Sequence, residues 1–466
     1  MKSRLETLLD KDSFILIGEK DDDELVGGTG LIEGREVCII ALNPVASGPV
    51  DAYLILQQEL ALLDLAEERH LPVIHLADRP ARVAKETTAI PLSIIRTFIE
   101  PQGAGKIFAR FGQLSGVVPR IAVVFNAIAT TLTYPVAACD TVVMVEGTGM
   151  SLARPDMVRL MTGDKSRYDE YGGARMHAEV SGTCDILASS EEEALVAVRR
   201  YIGMFPSHYS SLPLIGTPGD PGRTGFSDLR LIPSNPDIPF DMHRIIERIV
   251  DEGTLLPHRS LYAGELITAF GRVAGMPVGI VANNSLVRGG ILFPESCRKL
   301  SAFISLCDAF NIPLVFLADL PGYMVGKDTE QGGIIHHGAL VFTSIATLSV
   351  PHLLVVVRKA YTAGLYAMGG PGFDPDRFVA VQDAFISIYG PKAIRKLGIE
   401  SHLSGPELDE IAERMSDNTS LDRYLDAGLL DAVIQPGDIR REVCEFLERA
   451  YETPPFRDGP RRVLCL

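Results

Sequence analysis

The sequence predicts an α/β protein built from two tandem copies of one domain. A forward shift of 241 residues places VCIIALN (37–43) on VGIVANN (278–284). A later block matches at a shift of 232, where VPRIAVVF (118–125) falls on VPHLLVVV (350–357). Self-similarity at a fixed spacing indicates a duplicated fold rather than chance similarity. A site between two such copies can hold two different substrates.

Each copy has the same predicted order of elements. A short amphipathic helix precedes glycine-punctuated strands, and a longer helix follows, ending at a proline. Next comes a strand that is apolar on both faces, as in parallel sheets, and then a second buried strand. Short helices are predicted at 5–9 and 245–250, long helices at 57–69 and 298–310, and buried strands at 72–78, 121–125, 313–319 and 353–357. Ligands of such sheets gather where strands give way to helices.

A proline-rich stretch marks the domain boundary. Seven prolines lie between residues 206 and 239, a density that excludes helices and central strands. We therefore predict an N-terminal domain at 1–207, an extended linker at 208–239 and a C-terminal domain at 240–466.

Composition excludes several classes of function. The net charge of -16 argues against nucleic acid or an anionic membrane as a general partner, although local basic pockets for a phosphorylated cofactor stay open. No apolar run reaches the roughly 18 residues of a membrane span, and the opening residues lack the apolar segment of a signal peptide. The seven cysteines are scattered without a C-x-x-C pair, so we expect no metal site, no disulfide framework and a cytoplasmic location.

Several long motifs carry a family resemblance. They are DLPGY (319–323), EQGGIIHHGA (330–339), RKAYTAGLYAMGG (358–370), GLLDAVIQPGDIRRE (428–442) and EYGGARMHAEVSGTCD (170–185). Together they resemble the carboxyltransferase (beta) subunit of biotin-dependent acyl-CoA carboxylases over nearly the whole chain. The resemblance implies two tandem crotonase-like domains with the ClpP/crotonase ββα superhelix. It also implies transfer of a carboxyl group from carboxybiotin to the alpha, or vinylogous gamma, carbon of an acyl-CoA.

The family reaction needs two oxyanion holes, because charge develops on the thioester oxygen and on the ureido oxygen of biotin. Backbone N–H groups beside small residues can supply both. By resemblance, Ala363 and Gly364 receive the ureido oxygen, although close helix packing is the alternative. Tyr366 falls where the family faces the acyl group, in a pattern closer to the methylcrotonyl or glutaconyl branch than to the propionyl branch; otherwise it belongs to the core. Gly332 and Gly333 serve either a ligand or helix packing.

The N-terminal hole departs from the family pattern. The usual glycine pair is replaced by Thr130 and Thr131, after Ala129, and a positive φ would be costly for these β-branched residues. Either their hydroxyls add donors, or the pocket is remodelled for another acyl group, or transfer activity is lost. By resemblance, coenzyme A would lie near this turn and near a second run of small residues, Gly172, Gly173 and Ala174.

A second departure lies at GGILFPESCRK (289–299). Phe293 and Pro294 replace a stretch that is usually acidic and contains serine, whereas Lys299 remains. This departure indicates an altered entrance to the site and an unchanged fold.

The remaining expectations concern partners. No P-loop and no A-M-K-M biotinylation segment occurs, so biotin must arrive on another polypeptide, a carrier served by a biotin carboxylase subunit. The resemblance implies that biotin itself takes the alpha proton, and that the chain forms a homo-oligomer, from dimer to hexamer. Two alternatives keep the fold: a biotin-dependent acyl-CoA decarboxylase subunit, or a catalytically inactive structural paralogue.

Overall fold

The computed structural model describes residues 1–18, 25–43, 52–78, 92–218, 231–390, 396, 404–407, 410–411, 419–452 and 459–464. The middle of the predicted linker, residues 219–230, lies outside the described residues. None of the helices within these ranges is long and apolar enough to cross a lipid bilayer.

The N-terminal half forms, in its described residues, a seven-stranded mixed sheet with helices on both faces. Its elements are α1 (Lys2–Leu8), β1 (Ile15–Leu16), β2 (Leu25–Ile32), β3 (Arg35–Leu42), α2 (Ala52–Glu68), β4 (Val73–Ala77), α3 (Leu92–Ile99), α4 (Ala104–Leu114), β5 (Arg120–Val124), β6 (Ala127–Ala129), α5 (Thr133–Ala137), β7 (Thr141–Val145), β8 (Gly149–Ser151), α6 (Pro155–Thr162), α7 (Tyr168–Tyr171), α8 (Ala174–Met176), β9 (Ile186–Ala188) and α9 (Glu191–Met204). The strand order is β1–β2–β3–β4–β5–β7–β9, antiparallel as far as β3 and parallel beyond it. Strands β6 and β8 form a separate parallel pair.

The C-terminal half repeats this architecture. Its elements are α10 (His243–Ile249), β10 (Leu256–His258), β11 (Leu266–Val273), β12 (Met276–Asn283), α11 (Pro294–Ala309), β13 (Leu314–Leu320), α12 (Lys327–Gln331), α13 (Ile334–Ala346), β14 (His352–Tyr361), α14 (Ala363–Ala367), β15 (Arg377–Val381), β16 (Phe385–Ser387), α15 (Leu421–Asp426), β17 (Ala432–Ile434) and α16 (Ile439–Glu452). Strands β10, β11 and β12 are antiparallel; β13, β14, β15 and β17 continue the sheet in parallel, and β16 pairs with the end of β14.

The duplication predicted from the sequence is confirmed element by element. Helix α1 and strands β2 and β3 have the same lengths as α10, β11 and β12, and the first of the two sequence shifts maps each onto its counterpart. In both sheets an antiparallel hairpin precedes the parallel strands. The carboxyl ends of successive parallel strands therefore meet at one edge of each sheet, where ligand sites of α/β proteins form.

One polar motif also occurs in both halves. Asp10 accepts hydrogen bonds from the N–H groups of the β2–β3 turn, the nearer at 2.8 Å, and from Arg199 of α9 at 2.9 Å. Asp251 does the same at the β11–β12 turn, with Arg440 of α16 at 2.6 Å. In each half this network ties the first helix, the first hairpin and the last long helix together.

The two halves share a continuous core. Tyr201 of α9 and Phe205, directly after that helix, pack against Phe270 of β11, with ring centroids 5.6 and 5.1 Å from that of Phe270. Beside this aromatic contact, Asp185 accepts a hydrogen bond from Nε of Arg259 at 2.6 Å, and both side chains are buried. Buried pairs of this kind fix how the two sheets are oriented relative to each other.

His258 makes this junction sensitive to pH. The side chain is buried against Phe270 and Phe303, and within the described part of the chain neither ring nitrogen has a hydrogen-bond partner. Burial lowers the pKa of His258 from 6.5 to about 4 and outweighs the opposite effect of Asp185, 3.5 Å away. The unfolded chain therefore binds a proton here near pH 6.5, whereas the folded chain does so only near pH 4.

Lowering the pH is accordingly expected to destabilise the fold. The stability linked to neutral His258 is present above pH 6.5 and is lost as the pH falls towards 4. We expect His258→Phe to reduce the loss in unfolding free energy between pH 7 and pH 5 by about 2 kcal/mol, measured by urea denaturation. His336→Gln, at an exposed histidine, is the control. An equal change in both variants would show that His258 is not the source.

Candidate active site

The first candidate turn follows β14 in the C-terminal half. Thr362 leaves the strand with φ 51° and ψ -140°, a conformation that costs a β-branched residue of the order of 1–3 kcal/mol. Its N–H donates to the Ser387 carbonyl at 3.1 Å, which holds the turn in place. The N–H groups of Ala363 and Gly364, in the first turn of α14, donate no hydrogen bond to any described residue. Two backbone donors are thus left free at one point.

The turn after β14 packs closely against the segment after β13. Gly322, with φ 124°, follows β13, and a Cβ at this position would lie 3.5 Å from Oγ1 of Thr362. A Cβ on Gly364 would lie 2.9 Å from the Leu320 side chain and 3.1 Å from the Cα of Gly322. A third segment, which follows β12, also contacts the turn, because the Leu292 N–H donates to the Gly322 carbonyl at 3.1 Å. The segments after β12, β13 and β14 therefore converge here.

The other predicted C-terminal residues lie near this edge. Tyr366 is carried on α14 with its side chain 45% exposed, so it does not belong to the core. Gly333 has φ 79° and precedes α13, and the N–H groups of Gly332 and Gly333 donate to Asp328 and Glu330 carbonyls at 2.9 and 3.0 Å. These bonds show that the glycine pair shapes the turn between α12 and α13. Contact of either glycine with a ligand stays a prediction.

The second candidate turn follows β5 and β6 in the N-terminal half. Thr130, after Ala129, has φ 66°, so it adopts the conformation that is costly for a β-branched residue. The second of the two sequence shifts places Thr130 on Thr362, and both threonines have positive φ. By this register Thr131 is the counterpart of Ala363, and its N–H likewise donates no hydrogen bond to a described residue. The threonines therefore preserve the turn geometry.

The small residues predicted to bind coenzyme A lie against the same short ladder. Ala129 pairs with Ser151 at one end of the β6–β8 ladder, and Gly173 bridges Gly149 at the other. The N–H groups of Gly172 and Ala174 donate to carbonyls of Tyr168 and Thr148, both at 2.8 Å. A Cβ on Gly149 would lie 2.0 Å from the Gly172 carbonyl oxygen. The structure thus shows close packing, and substrate contact by these residues stays a prediction.

Metal ligands are not grouped in the part of the chain that is described. No set of three or more His, Cys, Asp or Glu side chains in those residues is arranged to hold a metal ion. His336 is exposed and His337 partly buried, with ring centroids 5.7 Å apart. Backbone N–H groups at the two turns are hydrogen-bond donors without an acceptor among the described residues.

Charged side chains near the C-terminal turn have structural partners that sequence reasoning missed. Arg358 donates to buried Asp319 at 2.8 and 3.0 Å and to the carbonyls of Asn235 and Ile238. Lys359 donates to the Pro236 carbonyl at 2.9 Å. The two cations therefore fasten the end of the linker to the sheet. Because these partners lie far away in the sequence, no local sequence pattern indicates the structural role of the two cations.

Comparison with known proteins decides the family. The sequence model of the carboxyl transferase domain matches residues 3–462. The chain belongs to the carboxyl transferase family.

Relatives and solved structures of the carboxyl transferase family cover almost all of this chain. The uncharacterized carboxylase YngE of Bacillus subtilis is 39% identical over 440 residues, which cover 92% of this chain and 84% of the relative. The propionyl-CoA carboxylase beta chain of Saccharopolyspora erythraea is 30% identical over 96% of this chain and 86% of its own. The crystal structure of transcarboxylase 12S superposes with a TM-score of 0.88 at 28% identity, over 99% of this chain and 92% of that chain.

These findings confirm four predictions made from the sequence. The chain is a carboxyl transferase, its halves have the crotonase-like fold, it is an enzyme, and its reaction is carboxyl transfer. The alternatives of a decarboxylase subunit and of an inactive paralogue are not favoured by them. The assignment of individual site residues and of the domain boundaries remains a prediction.

Proposed function

We propose that this carboxyl transferase moves a carboxyl group from carboxybiotin, carried on a separate protein, to the alpha or vinylogous gamma carbon of an acyl-CoA. The observation that supports the proposal is the duplicated strained turn. Thr130 and Thr362 both have positive φ, and each is followed by an N–H group without an acceptor among the described residues. The reaction develops charge on two oxygens, and two turns offer donors for both.

The C-terminal turn fits the ureido oxygen of biotin. The N–H groups of Ala363 and Gly364 are free, and close packing of Gly364 against Leu320 and Gly322 holds them in position. When bound, carboxybiotin supplies the carboxyl group to be transferred. Ala363 and Gly364 would hold the ureido oxygen, and Tyr366, half exposed on α14, would line the acyl side.

The N-terminal turn fits the thioester oxygen. Thr131 presents its N–H in the register of Ala363, and the Thr130 side chain is exposed, so it leaves the backbone approachable. The turn geometry at Thr130 and Thr131 is retained. This favours an oxyanion hole that has been remodelled for another acyl group over one that has been lost. The backbone donors need no reorganisation as charge develops on the oxygen. Oxyanion holes stabilise transition states mainly for this reason.

The two turns belong to different halves, and we propose that two protomers bring them together. Exposed apolar side chains lie on the segments around each turn: Leu152, Leu160 and Met161 in the N-terminal half, and Val325, Ile335 and Ile388 in the C-terminal half. Burial of such side chains in an interface would favour association. Transcarboxylase 12S assembles as a hexamer. We propose a homo-oligomer, from dimer to hexamer, served by biotin carboxylase and biotin carrier subunits.

The reducing cytoplasm is the compartment we propose. Six cysteines among the described residues have free thiols, and five of the six are buried. Free, scattered thiols are typical of proteins that work under reducing conditions. Cys465 lies outside the described residues.

The reverse half-reaction tests the proposed function. The purified protein is incubated with malonyl-, methylmalonyl- and 3-methylglutaconyl-CoA, with and without biotin, and decarboxylated product is followed by mass spectrometry. Biotin-dependent product supports carboxyl transfer and identifies the acyl class. Product that is independent of biotin indicates a direct decarboxylase, and no product even with a biotinylated carrier supports the inactive paralogue.

Strain at the N-terminal turn gives a stability prediction. Thr130→Gly relieves a strain of about 1–2 kcal/mol, which offsets the greater entropy that glycine gives the unfolded chain. We therefore expect the free energy of unfolding of Thr130→Gly to stay within about 1 kcal/mol of the wild-type value. We also expect transfer activity to persist. Ala339→Gly, at an exposed position inside α13, should destabilise by about 1 kcal/mol more. Urea denaturation of both variants measures the difference, and an equal loss would contradict a strained Thr130.

A further inference from the structure

The turn between β12 and α11 lies directly beside the C-terminal hole. Three successive residues have positive φ: Arg288 at 47°, Gly289 at 69° and Gly290 at 74°. A Cβ on Gly290 would lie 3.2 Å from the Asp319 carbonyl oxygen, at the end of β13. The next residues run along Gly322, whose carbonyl accepts the Leu292 N–H. This turn, which includes the segment where the sequence departs from the family, thus borders the residues that shape the hole.

Arg288 is held at this turn along one edge of its guanidinium group. Its Nη1 donates to Glu295 at 2.8 Å and to Glu265 at 3.4 Å. The guanidinium carbon lies 3.6 Å above the ring of Phe293. Nε and Nη2 have no hydrogen-bond partner in the described part of the chain, and the side chain is 45% exposed. The guanidinium group therefore keeps one edge free at the turn that borders the hole.

Phe293, on which Arg288 stacks, is held by hydrogen bonds. The Phe293 N–H donates to Oγ of Ser296 at 3.0 Å, and Ser296 in turn donates to Glu265, which is almost fully buried. Burial alone would raise the pKa of Glu295, but hydrogen bonds from Arg288 and from a backbone N–H, together with the charges of Arg288 and Arg298, lower it. The two carboxylates are thus balanced by two guanidinium groups, so a further anion meets no excess of negative charge.

Resting on the proposed function, we propose that Arg288, stacked on Phe293, binds the carboxylate that is being transferred at the C-terminal hole. A guanidinium edge with two N–H donors matches the two oxygens of a carboxylate. Stacking on Phe293 fixes the plane of the guanidinium group, and a lysine cannot reproduce that arrangement. The carboxylate has two sources, since it is carried by carboxybiotin before transfer and by the acyl-CoA product after it.

The test separates these two sources. For the acyl source, binding to the full-length protein is measured by calorimetry for three pairs of ligands that differ by one carboxylate: malonyl- and acetyl-CoA, methylmalonyl- and propionyl-CoA, and 3-methylglutaconyl- and 3-methylcrotonyl-CoA. For the biotin source, the KM for carboxylated carrier is measured in the forward reaction. The variants are Arg288→Lys, which keeps the charge, and Arg288→Asn, which tolerates positive φ. Arg441→Lys, at an exposed arginine of α16, is the matched control.

We expect both Arg288 variants to lose about tenfold or more in affinity for the carboxylated member of a pair, or to raise the carrier KM by that factor, while the uncarboxylated member changes less than twofold. A loss shared equally by both members of the pairs, or no change in either arm, overturns the proposal. A wild-type protein that prefers the carboxylated ligands through Arg288 but shows no biotin-dependent turnover would refute the proposed function alone.

Discussion

Replacing Gly364 by valine is expected to lower the kcat for carboxyl transfer by about 100-fold or more. A side chain at this position meets Leu320 at 2.9 Å and the backbone of Gly322 at 3.1 Å, so α14 must move away from the end of β13. The N–H groups of Ala363 and Gly364 then leave the place where charge develops. Loss of a single oxyanion donor typically costs roughly 100- to 1000-fold in kcat.

The assay is biotin-dependent turnover, measured as kcat and KM for both substrates. Gly105→Val in α4 is the control, because a Cβ there meets nothing within 4 Å; we expect it to retain activity within about threefold. Thermal denaturation shows that both variants fold. If Gly364→Val retained wild-type kcat, the C-terminal hole would have to lie elsewhere than at Ala363 and Gly364.

The fold was predictable because its signals are local and occur twice. An apolar run such as residues 313–319 identifies a buried strand by itself, and its recurrence at a fixed shift fixes the order of elements. The shift that aligns VCIIALN with VGIVANN also maps the bounds of β3 (Arg35–Leu42) onto those of β12 (Met276–Asn283) in the structure. Periodicity and repetition therefore suffice for the architecture.

The candidate site was only partly predictable. Resemblance located the small residues Ala363 and Gly364, but the rule that β-branched residues avoid positive φ made Thr130 look like a defect. The structure shows the same conformation at Thr362, where a hydrogen bond to the Ser387 carbonyl supports the turn. Such tertiary support overrides a local preference, and no pattern around position 130 reveals it.

Contacts made over long stretches of sequence were not predictable either. The structural role of Arg358 and Lys359 has no signal near them in the sequence, because the carbonyl groups they bind lie far earlier in the chain, in the linker. Arg288 was overlooked because a single arginine before two glycines carries no motif. Only the fold brings it above Phe293 and beside Glu265.

Removing the carboxylate of Asp319 is expected to lower the free energy of unfolding more than any other change proposed for this protein. Asp319 is 0% and Arg358 4% exposed in their side chains, with N–O distances of 2.8 and 3.0 Å. Asp319→Ala leaves a buried guanidinium without its counterion, which typically lowers the free energy of unfolding by about 3–5 kcal/mol. Because Arg358 also holds the linker carbonyl of Ile238, the end of the linker should loosen as well. Urea denaturation measures the loss.

The duplication supplies a matched control for this experiment. Asp78 is the counterpart of Asp319 in the first repeat, and its partner Arg4 is 16% exposed and shared with Glu191. Asp78→Ala should therefore cost less, about 1–2 kcal/mol, because Arg4 keeps a second carboxylate. The double variant Asp319→Leu and Arg358→Met should recover most of the loss, because replacing both buried charges by apolar groups is often neutral. Equal losses at Asp78 and Asp319, or no recovery in the double variant, would mean that the unpaired charge of Arg358 does not account for the loss of stability.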